Sequence, residues 1–182
     1  MMIVRPAAEA DAQALAAIYG DAVLHGFGTF EEDPPSAADM DARRRAVQAQ
    51  GMPYLVAEED GRVLGFAYAG PFRPRAAYRY TLEDSVYVSP DAKGRGVGRA
   101  VLSAVIAACE ALGIRQLMAV IGDSGNSGSI GLHRSLGFEQ TGVGKSVGFK
   151  HGRWVDIVHM QKPLNGGDTL PPSGAGVTLT GH

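Results

Sequence analysis

The chain reads Val86-Tyr87-Val88-Ser89-Pro90-Asp91-Ala92-Lys93-Gly94-Arg95-Gly96-Val97-Gly98 at residues 86–98. A β-favouring segment comes first, a proline-containing turn follows, and alternating glycines then precede an apolar helical stripe. Glycine permits left-handed backbone, so the N–H groups of such a loop can turn toward one point at a helix N-terminus. The helix dipole favours negative charge there, and Lys93 and Arg95 add positive charge. The stretch therefore predicts a strand–loop–helix cradle for a phosphate or pyrophosphate.

Two common nucleotide-binding patterns do not fit this cradle. The dinucleotide fingerprint G-x-G-x-x-G fails, because the glycines are spaced G-x-G-x-G and no βαβ unit begins with them. Residues 142–146 resemble the end of a P-loop, but the first glycine of G-x-x-x-x-G-K-S would fall on Glu139 and no long helix follows. The sequence therefore disfavours ATP and GTP as ligands.

Hydrophobic periodicity divides the rest of the chain into strands and helices. In chain order these are a strand at 3–4, a helix from about residue 8, a helix capped by Ser36, strands at 54–58, 63–69 and 81–88, a long helix after Gly98 that ends at Gly113, a strand at 116–121, a short helix capped by Asn126, and two closing strands from Phe138. Asp60-Gly61 indicates an antiparallel hairpin between the second and third strands. This order predicts an α+β fold with a mixed sheet that helices cover on both faces.

Composition narrows the class of protein. The chain has 182 residues, 45% of them hydrophobic and 20% charged, which is typical of one globular domain. We expect a domain over residues 1–163 and a flexible tail over residues 164–182, where periodicity is lost. A net charge of −2 gives no electrostatic signature for nucleic acid or an anionic membrane. A single cysteine, Cys109, and the lack of a long apolar run predict a soluble protein of the reducing cytoplasm.

Several ordered motifs together carry a family resemblance. Lys93-x-x-Gly96-x-Gly98 lies at a strand–helix junction, and Asn126 and Leu136-Gly137-Phe138 follow it. This set resembles the GNAT acyltransferase superfamily, whose signature is (Gln/Arg)-x-x-Gly-x-(Gly/Ala). The resemblance implies a GNAT-like, mostly antiparallel sheet flanked by helices, and acetyl-CoA bound through backbone N–H groups of the loop. Lys93 departs from the Gln or Arg of the family.

Further segments narrow the resemblance. Residues 67–71, 81–88, 119–122, 133–138 and 148–156 look like those of the phosphinothricin N-acetyltransferases and of the methionine sulfoximine/sulfone acetyltransferases, over a span from about Ile3 to Leu164. The resemblance implies that acetyl-CoA contacts Val86, Tyr87, Val88, Lys93, Gly94, Arg95, Gly96, Val97, Gly98 and Asn126. It also implies a homodimer and a small amino-acid-like substrate.

Two residues are the expected catalytic groups. Acetyl transfer to an amine needs a base, since an α-amine is largely protonated at pH 7. Glu83 lies in a strand just ahead of the loop and matches the general base proposed for the family; the alternative is an ordinary solvent-facing glutamate. Asp84 should point to the opposite face and be exposed. His133 stands where many GNAT enzymes have a tyrosine acid, and it is either a proton donor to the CoA thiolate or a structural histidine.

Other residues are expected around the substrate. Arg73 and Arg75 can present guanidinium groups to a carboxylate or phosphinate, or can simply be solvated. Phe30 and Tyr87 are expected beside the substrate, together with Glu83. The spacing of polar residues around His151 is not that of a metal site, so no metal is expected.

The sequence thus predicts an acetyl-CoA-dependent N-acetyltransferase. Its substrate would be the α-amine of a small L-amino-acid analogue of the phosphinothricin or methionine sulfoximine/sulfone type, acetylated by direct transfer. Two alternatives remain open at this point: an acetyltransferase for another small amine such as a polyamine, and a non-catalytic acyl-CoA-binding sensor.

Overall fold

A computed structural model of the chain describes residues 1–179. Its strands and helices are, in chain order, β1 (Met2–Pro6), α1 (Ala12–His25), α2 (Ala37–Ala49), β2 (Tyr54–Glu59), β3 (Arg62–Pro71), β4 (Thr81–Val88), α3 (Val97–Ala111), β5 (Gln116–Gly122), α4 (Ser127–Ser135), β6 (Glu139–Lys150) and β7 (Arg153–Pro163). Short 3-10 turns precede α1, β4 and the glycine loop. The first of these, Glu9–Asp11, occupies the start of the predicted first helix, so α1 begins at Ala12.

Local sequence signals fix several of these boundaries. The Ser36 hydroxyl accepts a hydrogen bond from the Asp39 N–H, and the Asp39 carboxylate accepts one from the Ser36 N–H, which is the expected capping box of α2. Gly113 follows α3 in left-handed backbone at φ 74°. These two ends lie where the sequence predicted them.

One mixed sheet forms the centre of the molecule. Its strand order is β1-β2-β3-β4-β5-β7-β6, and every neighbouring pair is antiparallel except β4 and β5. Because α3 connects β4 to β5, these two strands can run parallel. The predicted mixed, mostly antiparallel sheet is therefore present.

Successive side chains of β3 point to opposite faces of the sheet, and both faces are covered by helices. Phe66 packs with residues of α1 and α2, including Leu15 and Met40. Its neighbour Ala67 faces the other way and packs with residues of α3 such as Leu102. Helices α1 and α2 thus cover one face, and α3 with α4 covers the other, as predicted.

The segment after β7 lies against the body of the protein. Leu164 is buried, and its N–H donates to the Arg115 carbonyl at 3.0 Å. Further along, the Val177 N–H donates to the Arg79 carbonyl at 2.9 Å. Packing therefore continues past the predicted boundary at residue 163. The flexibility expected of residues 164–182 stays a prediction, and its last part, residues 180–182, lies outside the described residues.

Within residues 1–179, no helix is both long and apolar enough to span a membrane.

Candidate active site

A split in the sheet creates the site. Strands β4 and β5 pair from Thr81–Gln116 to Asp84–Ala119, and there the pairing stops. Beyond that point β4 stays paired with β3 as far as Val88, while β5 stays paired with β7 as far as Gly122. The two strands therefore diverge, and a gap opens between their carboxyl-terminal halves.

Backbone groups of β4 face this gap. The Ser89 N–H, just after β4, donates to the Leu64 carbonyl of β3 at 2.8 Å. This hydrogen bond shows which backbone N–H groups of β4 point toward β3. Since bonding direction alternates along an antiparallel ladder, the N–H groups of Val86 and Val88 point away from β3 and into the gap. These N–H groups are therefore available to a ligand.

The glycine loop turns the chain from β4 into α3. Gly94 and Gly96 have φ angles of 76° and 81°, in the left-handed region that glycine adopts readily, and Gly96 is the N-cap of α3. The free N–H groups of the first turn of α3 consequently point toward the gap, at the positive end of the helix dipole. The loop thus has the strand–loop–helix geometry that the sequence predicted.

The gap widens into a cleft of about 720 Å³. Its lining includes nine of the ten residues expected to contact the cofactor, namely Val86, Tyr87, Val88, Lys93, Gly94, Gly96, Val97, Gly98 and Asn126. The exception is Arg95, whose guanidinium pairs with Glu59 at the end of β2. The positive charge near the cradle thus comes from Lys93, with Arg99 also in the lining.

Sequence reasoning missed the opposite wall of the cleft. This wall consists of the last turns of α1 and the loop behind them, and includes Asp21, Ala22, His25 and residues 26–28. The available signal was the pair Gly26 and Gly28 directly after an amphipathic helix. That pattern alone does not tell which part of the sheet the loop crosses.

Two glycines allow the loop after α1 to lie directly on the sheet. A Cβ on Gly122 would stand 2.0 Å from the Phe27 carbonyl oxygen, and one on Gly148 would stand 2.3 Å from the Phe30 ring. Phe30 therefore packs across the ends of β5 and β6, with 41% of its surface exposed. At Gly122 the close atom is backbone, so only glycine fits there; at Gly148 the close atoms are those of the Phe30 ring.

Polar contacts, some of them buried, hold the same loop in place. The Lys150 ammonium donates to the Thr29 carbonyl at 2.8 Å, and the Tyr19 and Thr29 hydroxyls lie 2.8 Å apart. The Tyr19 hydroxyl also donates to Glu31, which pairs with Arg43 of α2 at 2.6 Å. The loop is thus fixed to α1, α2 and β6 at once.

Glu83 lines a second, smaller cavity that adjoins the cleft. This cavity has a volume of about 260 Å³ and shares Val86, Tyr87 and Asn126 with the lining of the cleft. Burial raises the pKa of Glu83, the nearby Asp84 raises it further, and Arg73 lowers it in part. The carboxyl group therefore stands where two ligands in adjoining spaces can meet.

His133 is buried, and both of its ring nitrogens have partners. Nδ1 lies 2.8 Å from the Ser129 carbonyl oxygen, and Nε2 lies 2.9 Å from Asp84 Oδ2. Burial lowers the pKa of His133, but the hydrogen bond and the charge of Asp84 outweigh this effect, so that its pKa is raised.

The prediction that Asp84 is exposed is wrong: Asp84 does point away from Glu83, but α3 and α4 cover that face of β4.

The remaining predicted residues occupy different places. Tyr87 lines both cavities, and its ring packs edge-on against Tyr19 at 4.9 Å. Asn126 accepts a hydrogen bond from the Ser129 N–H and donates one to the Gly122 carbonyl, so it joins α4 to the end of β5. Arg73 and Arg75 lie on the exposed loop between β3 and β4, outside the linings of the two cavities.

No group of three or more His, Cys, Asp or Glu residues able to hold a metal ion occurs within residues 1–179.

The model of the acetyltransferase (GNAT) family matches residues 17–138 of the chain, which is more than half of its length. The chain belongs to the GNAT family. This match confirms the predicted family and places the protein among the acyltransferases.

Individual relatives of the GNAT family agree with this assignment. Phosphinothricin N-acetyltransferase of Alcaligenes faecalis is 57% identical over 169 residues, covering 93% of this chain and 86% of the relative. L-methionine sulfoximine/L-methionine sulfone acetyltransferase of Pseudomonas paraeruginosa is 44% identical over 163 residues, or 89% of this chain and 94% of the relative. A GNAT superfamily phosphinothricin acetyltransferase from Sinorhizobium meliloti, solved with acetyl-CoA, has a TM-score of 0.92 at 48% identity, covering 96% of this chain and 95% of that one. The predicted fold is thus confirmed.

The glycine loop of this GNAT protein suits the diphosphate of acetyl-CoA. At Gly94 and Gly96 no side chain or backbone from elsewhere in the described chain lies within 4 Å of where a Cβ would stand, so phosphate oxygens can approach the backbone there. The adjoining N-terminus of α3 and Lys93 supply positive charge. A cleft of about 720 Å³ lies within the usual range for cofactor-sized ligands.

Proposed function

We propose that the protein transfers an acetyl group from acetyl-CoA to the α-amine of a small L-amino-acid analogue, of the phosphinothricin or methionine sulfoximine/sulfone type. The relatives from Alcaligenes faecalis and Pseudomonas paraeruginosa carry those substrates in their names and match nearly the whole chain. One observation carries the proposal: the cavity that Glu83 lines adjoins the cleft at Val86, Tyr87 and Asn126. An acceptor amine beside Glu83 would therefore meet a thioester in the cleft.

The chemistry of the transfer follows from these positions. Glu83 takes a proton from the substrate ammonium group, and the free amine nitrogen then attacks the thioester carbonyl carbon. A C–N bond forms and the carbonyl oxygen becomes an oxyanion, which the N–H of Val88 can stabilise because it faces the gap. The C–S bond then breaks, the amine nitrogen loses its second proton to solvent, and the CoA thiolate takes up a proton from solvent.

Direct transfer is favoured over a covalent acyl-enzyme. The single cysteine, Cys109, is fully buried in the core, and burial raises the pKa of its thiol to about 12. A thiol of this kind does not ionise near neutral pH and so cannot act as an acyl carrier.

His133 is not assigned as a direct proton donor in this reaction. Its two nitrogens already face acceptors, the Ser129 carbonyl and the Asp84 carboxylate. The sequence-based hypothesis that His133 protonates the thiolate requires one of these contacts to break, so solvent is the simpler proton source.

The charge and position of Arg73 favour a substrate that carries an anionic group. Its positive charge acts on Glu83 from the loop between β3 and β4, and a side chain on an exposed loop is free to turn toward a bound ligand. A guanidinium group suits a carboxylate, sulfoximine or phosphinate and repels a polyamine. Arg75, on the same loop, is proposed as a second anion contact, and Phe30 as an apolar wall.

A free-thiol release assay with acetyl-CoA tests the substrate class. We expect turnover with phosphinothricin, methionine sulfoximine or methionine sulfone, and none with spermidine. Turnover of spermidine alone would instead support a general amine acetyltransferase. Binding of acetyl-CoA by calorimetry with no turnover of any amine would identify a non-catalytic sensor and overturn the proposed enzyme.

The variant Glu83→Gln tests the proposed base. We expect kcat/KM at pH 7 to fall by about 10²- to 10⁴-fold, because general base catalysis is lost. In the unmodified protein, activity should disappear as the pH falls through the pKa of Glu83, which lies above its usual value and below which the carboxyl is protonated. The measurement is the pH profile of kcat/KM for both proteins.

Glu110→Gln, an exposed change on α3, serves as the control and should leave the profile unaltered. If Glu83→Gln retained nearly full activity between pH 6 and 8, Glu83 would not be the base.

We also propose a homodimer, formed through the outer edge of the sheet. Strand β6 is an edge strand, and Val147, Phe149 and Trp154 at the β6–β7 hairpin are 53%, 59% and 63% exposed. The Phe149 and Trp154 rings pack together at 5.4 Å, so they form one apolar patch. A patch of this kind on an edge strand is typical of a protein interface.

Sedimentation velocity tests the dimer. The unmodified protein should sediment with twice the mass of the chain, and Trp154→Glu should shift it to the monomer by placing a charge in the patch. Leu170→Glu, an equally exposed apolar site in the C-terminal segment, is the matched control and should remain dimeric. A monomeric unmodified protein at micromolar concentration would refute this proposal.

We place the protein in the cytoplasm, because the proposed reaction uses acetyl-CoA and because the single Cys109 is a free thiol.

A further inference from the structure

Asp84 and His133 form a buried pair between β4 and α4 that the reaction above leaves without a role. Their side chains are 1% and 3% exposed, and the His133 ring packs edge-on against Phe138 at 5.0 Å. Removing a carboxylate and an imidazole from water costs free energy, so a buried pair of this kind suggests a function beyond packing.

Hydrogen-bond chemistry fixes the proton content of the pair. The Ser129 carbonyl can only accept, so Nδ1 of His133 carries a hydrogen. Nε2 faces Asp84 Oδ2 at 2.9 Å, and two lone pairs do not face each other at that distance, so one proton lies between them. Whether this proton belongs to the imidazole or to the carboxyl, the pair as a whole is electrically neutral.

The charge of Asp84 matters because Glu83 is its neighbour on β4. The titratable groups around the two carboxyls are Tyr68 from β3, Arg73 from the loop before β4, Cys109 from α3 and His133 from α4. Strand β5 presents only Met118 and Ala119 opposite them. Among these groups His133 alone contacts Asp84 and can neutralise it, and Oδ1 of Asp84 has no partner within the described residues.

We propose that Asp84 and His133 act as a positioning pair for the proposed base: the proton they share offsets the negative charge of Asp84, so that less of this charge acts on Glu83 and Glu83 can be ionised at working pH. The inference rests on the proposed function, in which Glu83 accepts the amine proton. It makes Asp84 a functional residue, in keeping with the place of Asp84 and His133 in the lining of the same cavity as Glu83. Two adjacent carboxylates without this proton would disfavour each other's ionisation.

A double-mutant cycle on the pH profile of kcat/KM, comprising the unmodified protein, Asp84→Asn, His133→Gln and the double variant, tests the pair. Asp84→Asn alone should not move the acid limb of the profile upward, because the carboxyl is removed. In His133→Gln the glutamine cannot hold the shared proton, so the charge of Asp84 acts on Glu83. The low-pH limb of the kcat/KM profile, where Glu83 becomes protonated, should then move up by about one pH unit. In Asp84→Asn/His133→Gln the carboxyl is gone as well, and the limb should return to its position in the unmodified protein. A purely structural role predicts the opposite, since a second change in the core should not restore activity at pH 6.

Two controls accompany the cycle. His159→Gln, on β7 and outside both cavity linings, should leave the profile unchanged. The dissociation constant of acetyl-CoA and the melting temperature of each variant show whether the fold persists. Equal loss of kcat/KM at every pH in His133→Gln, with no recovery in the double variant, would overturn the proposal.

A measurement without substrate separates this inference from the proposed function. In ¹⁵N-edited NMR of the intact protein, the His133 ring should keep both nitrogens in hydrogen bonds and its proton well above the pH at which an exposed histidine titrates. Loss of the proton shared by His133 Nε2 and Asp84 near the ordinary histidine pKa would contradict the neutral pair, whichever of the two groups holds it. Absence of turnover with every amine, with the expected NMR result, would refute the proposed function and leave the pair intact.

Discussion

The short parallel ladder between β4 and β5 is the constraint on which the rest of the molecule depends. Pairing ends at Asp84 and Ala119, yet β4 continues along β3 and β5 continues along β7, so each strand stays ordered while the two separate. A regular sheet would satisfy the N–H groups of Val86 and Val88 internally. Because the sheet divides, these groups face a cleft, and the glycine loop that follows β4 opens onto the same space.

A second feature completes the site from the other side. The loop after α1 crosses the ends of β5 and β6: its Phe27 carbonyl lies where a side chain on residue 122 would stand, and its Phe30 ring lies over Gly148. Lys150 then fastens the loop through the Thr29 carbonyl. Gly122 and Gly148 thus differ in role from the cradle glycines: Gly122 lets a backbone segment lie on the sheet, and Gly148 leaves room for the Phe30 ring.

Much of this arrangement could be predicted from the sequence, and the exceptions have physical causes. The limits of β4, the capping box at Ser36 and the glycine cradle depend on local signals, and the structure places them as expected. The environment of Asp84 was predicted wrongly, because a period of two assigns a residue to a face of a strand but does not tell what covers that face. Arg95 was expected at the cleft, yet its partner Glu59 is distant in sequence and carries no local signal.

We propose that the divergence of β4 and β5 brings acetyl-CoA and an acceptor amine together beside Glu83. A crystal structure with coenzyme A and an unreacted amino-acid substrate tests it most directly. The account predicts the diphosphate at the N-terminus of α3, the thiol between β4 and β5 near Val88, and the amine within hydrogen-bond reach of Glu83, about 2.6–3.2 Å or through one water. An amine bound outside the Glu83 cavity, with coenzyme A correctly in the cleft, would contradict the account.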